Sequence, residues 1–275
     1  MLVGSSGAMS VKPLEETTSA TSVATSPSSK PPLREMNGLT LSPYTVDRGH
    51  LQIESYVAGY AHTRDTRFGS DTRTEVWSIG SSTIKYGLLD NLDLEVEINP
   101  YTRVRTEDRA ARTVARQSGF GDVALKAKLN LCGNNAGSFA AALLPTVKFP
   151  TNQDYLGNDA IEGGLAVPIS VKLPFGFWLG LSPEISVVQA NDSDGYTGAF
   201  GNTAYLWHQI AGDLSGYVEF VNWNAFDAPE EWYGTVGVGL TYMLTKNVQV
   251  DVGVCVGVTP SAPDMNPFLG LSVRF

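Results

Sequence analysis

From about residue 50 to the end of the chain, apolar and polar residues alternate with a period of two, which is typical of β-strands whose two faces meet different surroundings. In the segment 247–259, valines occupy every second position from Val248 to Val258, and polar or small residues stand between them. The final segment, 265–275, alternates in the same way and ends on the aromatic residue Phe275. This pattern predicts an all-β chain.

Turn-forming residues divide the alternating region into twelve predicted strands. Their connections alternate between tight turns rich in Gly, Asn, Asp and Pro and longer polar loops. The predicted strands are 49–62, 72–87, 91–103, 117–131, 137–149, 160–173, 176–189, 199–211, 213–224, 231–244, 247–259 and 265–275. The tight turns are 89–91, 133–135, 174–176, 211–213 and 245–247, and the longer loops are 63–71, 104–116, 150–159, 190–198, 225–230 and 260–264.

The regular alternation of short and long connections favours one architecture. Outer-membrane barrels have short periplasmic turns and longer outer loops, and an even number of strands brings both termini to one side. We therefore expect a single antiparallel transmembrane β-barrel of about 12 strands, located in a bacterial outer membrane. A soluble β-sandwich with its apolar faces turned into a core gives the same periodicity, and it stays open as an alternative that would be extracted without detergent.

In a membrane barrel the polar face of each strand looks into the lumen, so the charged residues of that face are candidate lumen-lining residues. Acids and bases fall on neighbouring strands, as Glu95 and Lys126 do. An ion-pair network that fills a narrow barrel and a charged lining that tunes passage are both open interpretations. The candidates are Glu54, Asp93, Glu95, Glu97, Arg103, Asp122, Lys126, Lys128, Lys148, Glu162, Lys172, Glu184, Glu219, Asp251 and Arg274.

Aromatic residues near the strand ends predict the two girdles of a membrane barrel. They are Tyr86, Tyr101, Phe149, Phe177, Trp223, Trp232, Tyr233, Tyr242 and Phe275. The carboxy-terminal Phe275 is the expected signal for the barrel-assembly machinery, and outer-membrane lipid is the other expected partner.

The region before the first strand divides in two. Residues 1–34 are rich in Ser, Thr and Pro and are predicted to be disordered, followed by a pre-barrel segment at 35–48 and the barrel at 49–275. Apolar residues in 33–48 lead us to expect that this stretch tucks into the periplasmic mouth and narrows the lumen; an exposed tail is the alternative. Met1 to Ser10 lacks the basic and apolar regions of a signal peptide, which leaves open a removed signal, a misassigned start or a protein that is not exported.

Composition narrows the function classes. The 275 residues carry a formal net charge of -9, which argues against nucleic acid as a partner. The two cysteines, Cys132 and Cys255, do not form a metal-binding or redox motif, and we expect neither a cofactor nor a metal. A hydrolase at the outer membrane edge would need a serine and a histidine side by side there. His208 is predicted near the periplasmic end, and His62 has no obvious serine on the matching face of a neighbouring strand, so we expect no enzyme.

Four segments resemble the MetA-pathway phenol-degradation family of outer-membrane proteins. They are SPYTVDRGHLQIE at 42–54, SGFGD at 118–122, LPTVKFPT at 144–151 and PDMNPFLGLSVRF at 263–275. The resemblance implies an outer-membrane barrel that acts as a channel or transporter for small molecules, in settings that include the breakdown of aromatic compounds. It implies no catalytic residues. The function expected is passive passage of small molecules, with aromatic or other hydrophobic compounds as the candidate solutes and a plugged structural barrel as the alternative.

Overall fold

The computed structural model describes residues 33, 38–135, 137–190 and 195–275. Apart from Leu33, the predicted disordered leader lies outside these residues. The described chain is all-β, with three single-turn 3-10 helices at Arg67–Gly69, Pro174–Gly176 and Pro229–Glu231. Its strands are β1 (Leu51–Asp65), β2 (Thr72–Leu89), β3 (Leu92–Ile98), β4 (Tyr101–Asp108), β5 (Thr113–Gly119), β6 (Val123–Cys132), β7 (Phe139–Phe149), β8 (Glu162–Ala166), β9 (Ile169–Lys172), β10 (Trp178–Gln189), β11 (Tyr196–Ala211), β12 (Leu214–Ala225), β13 (Tyr233–Thr245), β14 (Val248–Gly257) and β15 (Asn266–Arg274).

These strands form one closed antiparallel barrel with twelve crossings. The first strand, β1, pairs with β2 on one side and with β15 on the other, which closes the sheet. Three of the twelve crossings are each made of two consecutive strands. The strands β3 and β4 form one such crossing and both pair with β2, and β5 and β6 form the next. The strands β8 and β9 form the third, and both pair with β10. The predicted barrel of about 12 strands is confirmed.

The last residue of the chain extends the seam between β1 and β15. The backbone N–H of Phe275 donates a hydrogen bond of 2.8 Å to the carbonyl of Leu51. Both termini of the barrel therefore lie at the tight-turn end, which is the periplasmic end in outer-membrane barrels. Among the described residues, no helix is long and apolar enough to cross a membrane.

Two hairpins at the long-loop end contain more strand than the sequence predicts. The β1–β2 hairpin extends to Asp65 and Thr72, and the predicted loop 104–116 is instead largely a hairpin of β4 and β5 that turns at 109–112. Its charged composition resembles a loop, but Thr and Val at every second position of β4 fit a paired strand. This part of the loop prediction is wrong.

The two faces of the barrel are inverted relative to a soluble protein. Outward residues are apolar and exposed, as Val238 and Val252 are, at 50% and 53%. Inward residues are polar and buried, as Glu219 and Asp251 are, at 3% and 2%. Because one closed sheet surrounds a polar interior, the alternative of two sheets packed over an apolar core is wrong.

The alternation reverses at one level of the barrel. There is a register shift in β1 between Tyr56 and Ala58, Gly80 of β2 has a φ of +72°, and β3 gives way to β4 at Pro100. Opposite residues of an antiparallel pair project to the same side, and Arg103 lies opposite the half-exposed Trp77. Arg103 therefore faces outward and is not a lumen residue, because the bulge changes which positions face the lumen.

Aromatic rings cover part of the inner wall. The rings of Tyr217 and Phe268 lie over Gly239 and Gly253 of neighbouring strands, where an added Cβ would come within 2.4 Å of either ring.

Of the predicted girdle residues, Tyr86, Tyr101, Trp223, Trp232, Tyr242 and Phe275 are among the exposed large hydrophobic residues. Phe149, Phe177 and Tyr233 are only partly exposed.

Two turn glycines provide a test of backbone constraint. Gly133 has a φ of +79°, and an added Cβ would lie 2.0 Å from the carbonyl oxygen of Phe139. Gly212 has a φ of +53° with nothing within 4 Å of its added Cβ. We expect Gly212→Ala to lower the free energy of unfolding by about 1 kcal/mol through strain alone. Gly133→Ala should lower it by clearly more, because the backbone must also move.

The measurement is urea-induced unfolding of both variants and the wild type in the same detergent. Equal losses of stability in the two variants would show that the contact between Gly133 and Phe139 does not constrain the turn.

Candidate functional site

One wall of the lumen carries a ladder of ion pairs. Lys85 contacts Glu54 at 2.7 Å, Lys128 contacts Glu95 at 2.9 Å, and Lys126 contacts Glu97 at 2.5 Å. The strand register causes this arrangement, since Glu95 lies opposite Lys85 on β2 and opposite Lys126 on β6. Lys128 and Glu95 have side chains that are only 1% and 2% exposed. This wall is therefore a fixed, charge-paired surface, because an unpaired buried charge is costly.

A second cluster lies at the long-loop end of the lumen. Lys148 contacts Asp122 at 3.1 Å and Glu162 at 3.0 Å. Asp122 also accepts hydrogen bonds from the backbone N–H groups of Thr151 and Asn152. Burial of Asp122 opposes its ionisation, but hydrogen bonds from Asn152 and Lys148 outweigh that effect and hold the pKa of the Asp122 carboxyl below its usual value. The cluster fastens the loop 150–159 to the barrel wall.

The segment 38–48 lies inside the barrel. Its deepest part is held by Glu219, which accepts hydrogen bonds from the backbone N–H groups of Leu39 and Thr40, both at 3.1 Å, and from the Thr40 hydroxyl at 2.9 Å. Gly38 stands close against the same carboxylate, where an added Cβ would lie 2.6 Å from an oxygen of Glu219. A single inward carboxylate of β12 therefore binds the innermost part of this segment.

The rest of the segment descends along β3 and β6 toward the tight-turn end. Asn130 donates to the carbonyl of Pro43 at 2.8 Å, and the backbone N–H of Val46 donates to Asp93 at 2.9 Å. The expectation that the stretch enters the periplasmic mouth is confirmed for residues 38–48.

Side-chain contacts complete this attachment at the mouth. The backbone N–H of Thr45 donates to Asn134 at 3.0 Å, and Arg274 forms an ion pair with Asp47 at 3.0 Å. Asn130 and Asn134 were missed by sequence reasoning, since Asn134 was interpreted only as a turn former. The sequence signal that could have identified them was the presence of two asparagines close to one turn.

The remaining candidates stand elsewhere on the inner wall. Glu184 faces inward beside Gly164, and Asp251 is buried beside Gly270. Lys172 is exposed at the tight-turn mouth, with its ammonium nitrogen 5.9 Å from the centre of the Trp178 ring. With Arg103 as the exception, the predicted lumen residues face the interior. Most belong to the ladder, the outer cluster or the contacts to segment 38–48, and Glu184, Asp251 and Lys172 stand apart from these three groups.

Two cavities occupy the lumen, and the segment 38–48 lies between them. A cavity of about 530 Å³ is bounded by residues 38–42 and by the ion-pair ladder. A second one of about 550 Å³ lies toward the tight-turn mouth and is lined by Leu33, Tyr44 and aromatic side chains of β10 and β11. Each is large enough for a small organic molecule. Residues of this segment border both cavities.

The described part of the chain also contains histidine and cysteine side chains. It holds no cluster of three or more His, Cys, Asp or Glu side chains that could bind a metal. Cys132 is exposed and Cys255 is buried, and both are free. His208 stacks on Phe177 with ring centres 4.4 Å apart.

A closed barrel of twelve antiparallel crossings, apolar outside and polar inside, defines the class of outer-membrane β-barrel proteins. The family model described as "Putative MetA-pathway of phenol degradation" matches residues 37–275, and the chain belongs to this family. A search of curated protein sequences found no significant match.

Solved structures share the fold at low sequence identity. The COG4313 outer membrane channel from Pseudomonas putida F1 is 14% identical with a TM-score of 0.62, and the match covers 88% of this chain and 99% of that one. The translocator domain of the autotransporter NalP from Neisseria meningitidis is 12% identical with a TM-score of 0.52, over 84% and 90% of the chains. The KdgM porin in complex with disordered oligogalacturonate is 10% identical with a TM-score of 0.51, over 82% and 99%.

The Asp122 cluster predicts a pH dependence of the loop 150–159. Because the folded pKa of Asp122 is depressed, its stabilisation is present above the usual aspartate pKa of about 3.9 and is lost as the pH falls through the lower folded value. We expect pepsin to cleave near the exposed Tyr155 of the folded wild type only below about pH 4. Asp122→Ala should make the same loop sensitive to chymotrypsin at neutral pH.

The matched control is Asp159→Ala, which removes an exposed aspartate from the same loop. Equal cleavage of the two variants at neutral pH would contradict the role of Asp122.

Proposed function

We propose that this protein is a channel of the bacterial outer membrane through which small molecules diffuse passively, with the segment 38–48 as its gate. The observation that carries the proposal is the pair of cavities on either side of this segment. The likeness to solved outer-membrane barrels supports the location, and the family supports a role in handling small molecules.

The contacts that hold the segment suit a gate. At its deepest point they are three hydrogen bonds to one carboxylate, and near the mouth they are hydrogen bonds and one ion pair. A hydrogen bond contributes a net stabilisation of about 1 kcal/mol when water can replace it. Water that enters an opened lumen hydrates Glu219 and Asp93, so displacement of the segment leaves no dry, unpaired charge.

The cavity at the tight-turn mouth supports a substrate class. Its walls include Tyr44, Trp178, Tyr205 and Trp207, and Lys172 stands at its rim. Aromatic faces stack on a planar ring, and an ammonium group attracts an acidic substituent. Together with the family's link to phenol degradation, this lining favours small aromatic compounds, including aromatic acids.

A second function has one observation in its favour. A permanently closed barrel with a structural role fits the deep burial of the Lys128–Glu95 pair beside the segment, since Lys128 also donates to the carbonyl of Tyr44 at 3.3 Å. The two functions differ in conductance, because a fixed plug passes no ions when one of its distant anchors is removed.

The gate predicts that Glu219→Ala raises the channel's open probability. The variant removes three hydrogen bonds from the innermost part of the segment. At about 0.5–1.5 kcal/mol each, their loss should raise the open population about tenfold or more. The measurement is single-channel recording of the purified protein in a planar bilayer.

Glu184→Ala is the matched control, because it removes an inward carboxylate that has no hydrogen bond to segment 38–48 within the described chain. It should leave the open probability near the wild-type value. Absence of conductance steps in the wild type, in Glu219→Ala and in a deletion of 38–46 would favour the permanently closed barrel.

The substrate class predicts that benzoate blocks the current and that Lys172→Gln weakens the block. The ammonium group at the rim of the aromatic cavity would otherwise attract the carboxylate. Lys246→Gln removes a lysine from an exposed tight turn and serves as the control. If Lys172→Gln and Lys246→Gln change the block equally, the aromatic cavity is not the binding site.

A further inference from the structure

Arginine is concentrated on the outer surface of the barrel at the long-loop end. The outward face of β1, β2, β4 and β5 carries five arginines against two glutamates, although the whole chain has a net charge of -9. We call this the arginine face. Its charged members are Arg64, Arg73, Arg103, Arg105, Arg116, Glu75 and Glu107.

The strand register places these charges together. Arg64 lies opposite Arg73, and Arg105 lies opposite both Glu75 and Arg116. Like charges directly opposite each other destabilise a sheet. Each such arginine pair therefore calls for a nearby anion, from within the chain or from outside it.

Acidic side chains of the chain neutralise only part of the positive charge of the arginine face. Glu75 contacts Arg73 at 2.7 Å and Arg105 at 3.2 Å, and Glu107 contacts Arg105 at 2.8 Å. Arg64 reaches Asp71 of the adjoining loop at 3.1 Å. Within the residues that the structure describes, neither Arg103 nor Arg116 has an ion pair. Both are exposed, so their guanidinium groups are available to a ligand.

The arginine face begins where the aromatic belt ends. Tyr60, Trp77 and Tyr101 are outward aromatic residues of neighbouring strands, with the rings of Tyr60 and Trp77 4.6 Å apart. Aromatic residues of this kind mark the boundary between lipid chains and headgroups. Arg103 lies level with Trp77, and Arg105 and Arg116 lie about 7 Å further along the strands. These arginines therefore stand at the depth of lipid headgroups.

The opposite face of the same strands does not share this charge. The inward residues of β4 that alternate with the arginines are Thr102, Val104 and Thr106, which are uncharged. The arginines are thus directed to the lipid side and not to the permeation path. An anionic solute in transit would meet the lumen, so a lipid headgroup is the ligand that this position favours.

We propose that the arginine face binds the phosphate groups of the phosphorylated glycolipid in the outer leaflet, with Arg103 and Arg116 as the principal contacts. A guanidinium group matches the geometry of a phosphate with two parallel hydrogen bonds. The inference rests on the proposed outer-membrane location but not on channel activity.

The test is binding of lipid A that carries two phosphates to the detergent-purified, folded barrel, measured by native mass spectrometry and by the shift in melting temperature. Wild type should retain the lipid, and Arg103→Gln/Arg116→Gln should weaken binding about tenfold or more. Lys172→Gln/Lys246→Gln, which also removes two positive charges, should bind as wild type does. Heat-modified migration on gels confirms that each variant is folded.

Three outcomes would overturn the proposal. They are equal binding by wild type and the arginine variant, equal binding of lipid A stripped of its phosphates, and displacement of the lipid by millimolar inorganic phosphate, which would identify a free anion as the ligand. Conductance separates this inference from the proposed function. A variant that loses the lipid but conducts normally supports a lipid site apart from the channel, whereas a barrel that binds the lipid and never conducts contradicts only the channel.

Discussion

The structure depends on closure of the sheet in a surrounding that offers no hydrogen bonds. A backbone group exposed to lipid without a partner costs several kcal/mol, so every crossing must pair on both sides. Closure turns one face of every strand inward, and the polar residues of twelve crossings then share one narrow interior. These residues require partners, which explains the ion-pair ladder of Lys85, Lys126 and Lys128. The inserted segment meets the same requirement, since its backbone N–H groups satisfy Glu219 and Asp93.

Local features made most of the barrel predictable from sequence. Alternation fixes the facing of each strand, and turn residues fix its ends, as at the tight turns before Leu92 and Leu214. Alternation along one strand assigned Arg103 to the wrong face. The reversal of facing involves Gly80 on one strand, Pro100 on another and a register shift on a third, and only the pairing of all three reveals it. The β4–β5 hairpin was missed because its charges resemble a loop until a partner strand is known.

The site was predictable only in part. Inward acids and bases follow from periodicity, and the apolar residues of 33–48 suggested that this segment enters the mouth. Which wall residues hold it could not be predicted, because each contact joins parts of the chain that are far apart in sequence, as Thr40 and Glu219 are. Asparagine is common near turns, so Asn130 and Asn134 do not stand out in the sequence. Their amide groups bind the segment 38–48 because its backbone lies within hydrogen-bonding distance in the folded barrel.

The two walls of the lumen suggest how a solute would move through it. The wall of β2, β3 and β6 is held in place by buried ion pairs. Separation of such a pair is unfavourable because it leaves a buried charge without its partner. The wall from β11 to β15 carries Tyr205, Tyr217 and Phe268, uncharged rings that lie over glycines. The segment 38–48 touches both walls, through Asp93 on the first and Glu219 on the second. Release from Glu219 alone would free its innermost part while the attachments near the mouth remain. The aromatic wall would then open to a planar solute, and the segment would stay positioned to close behind it.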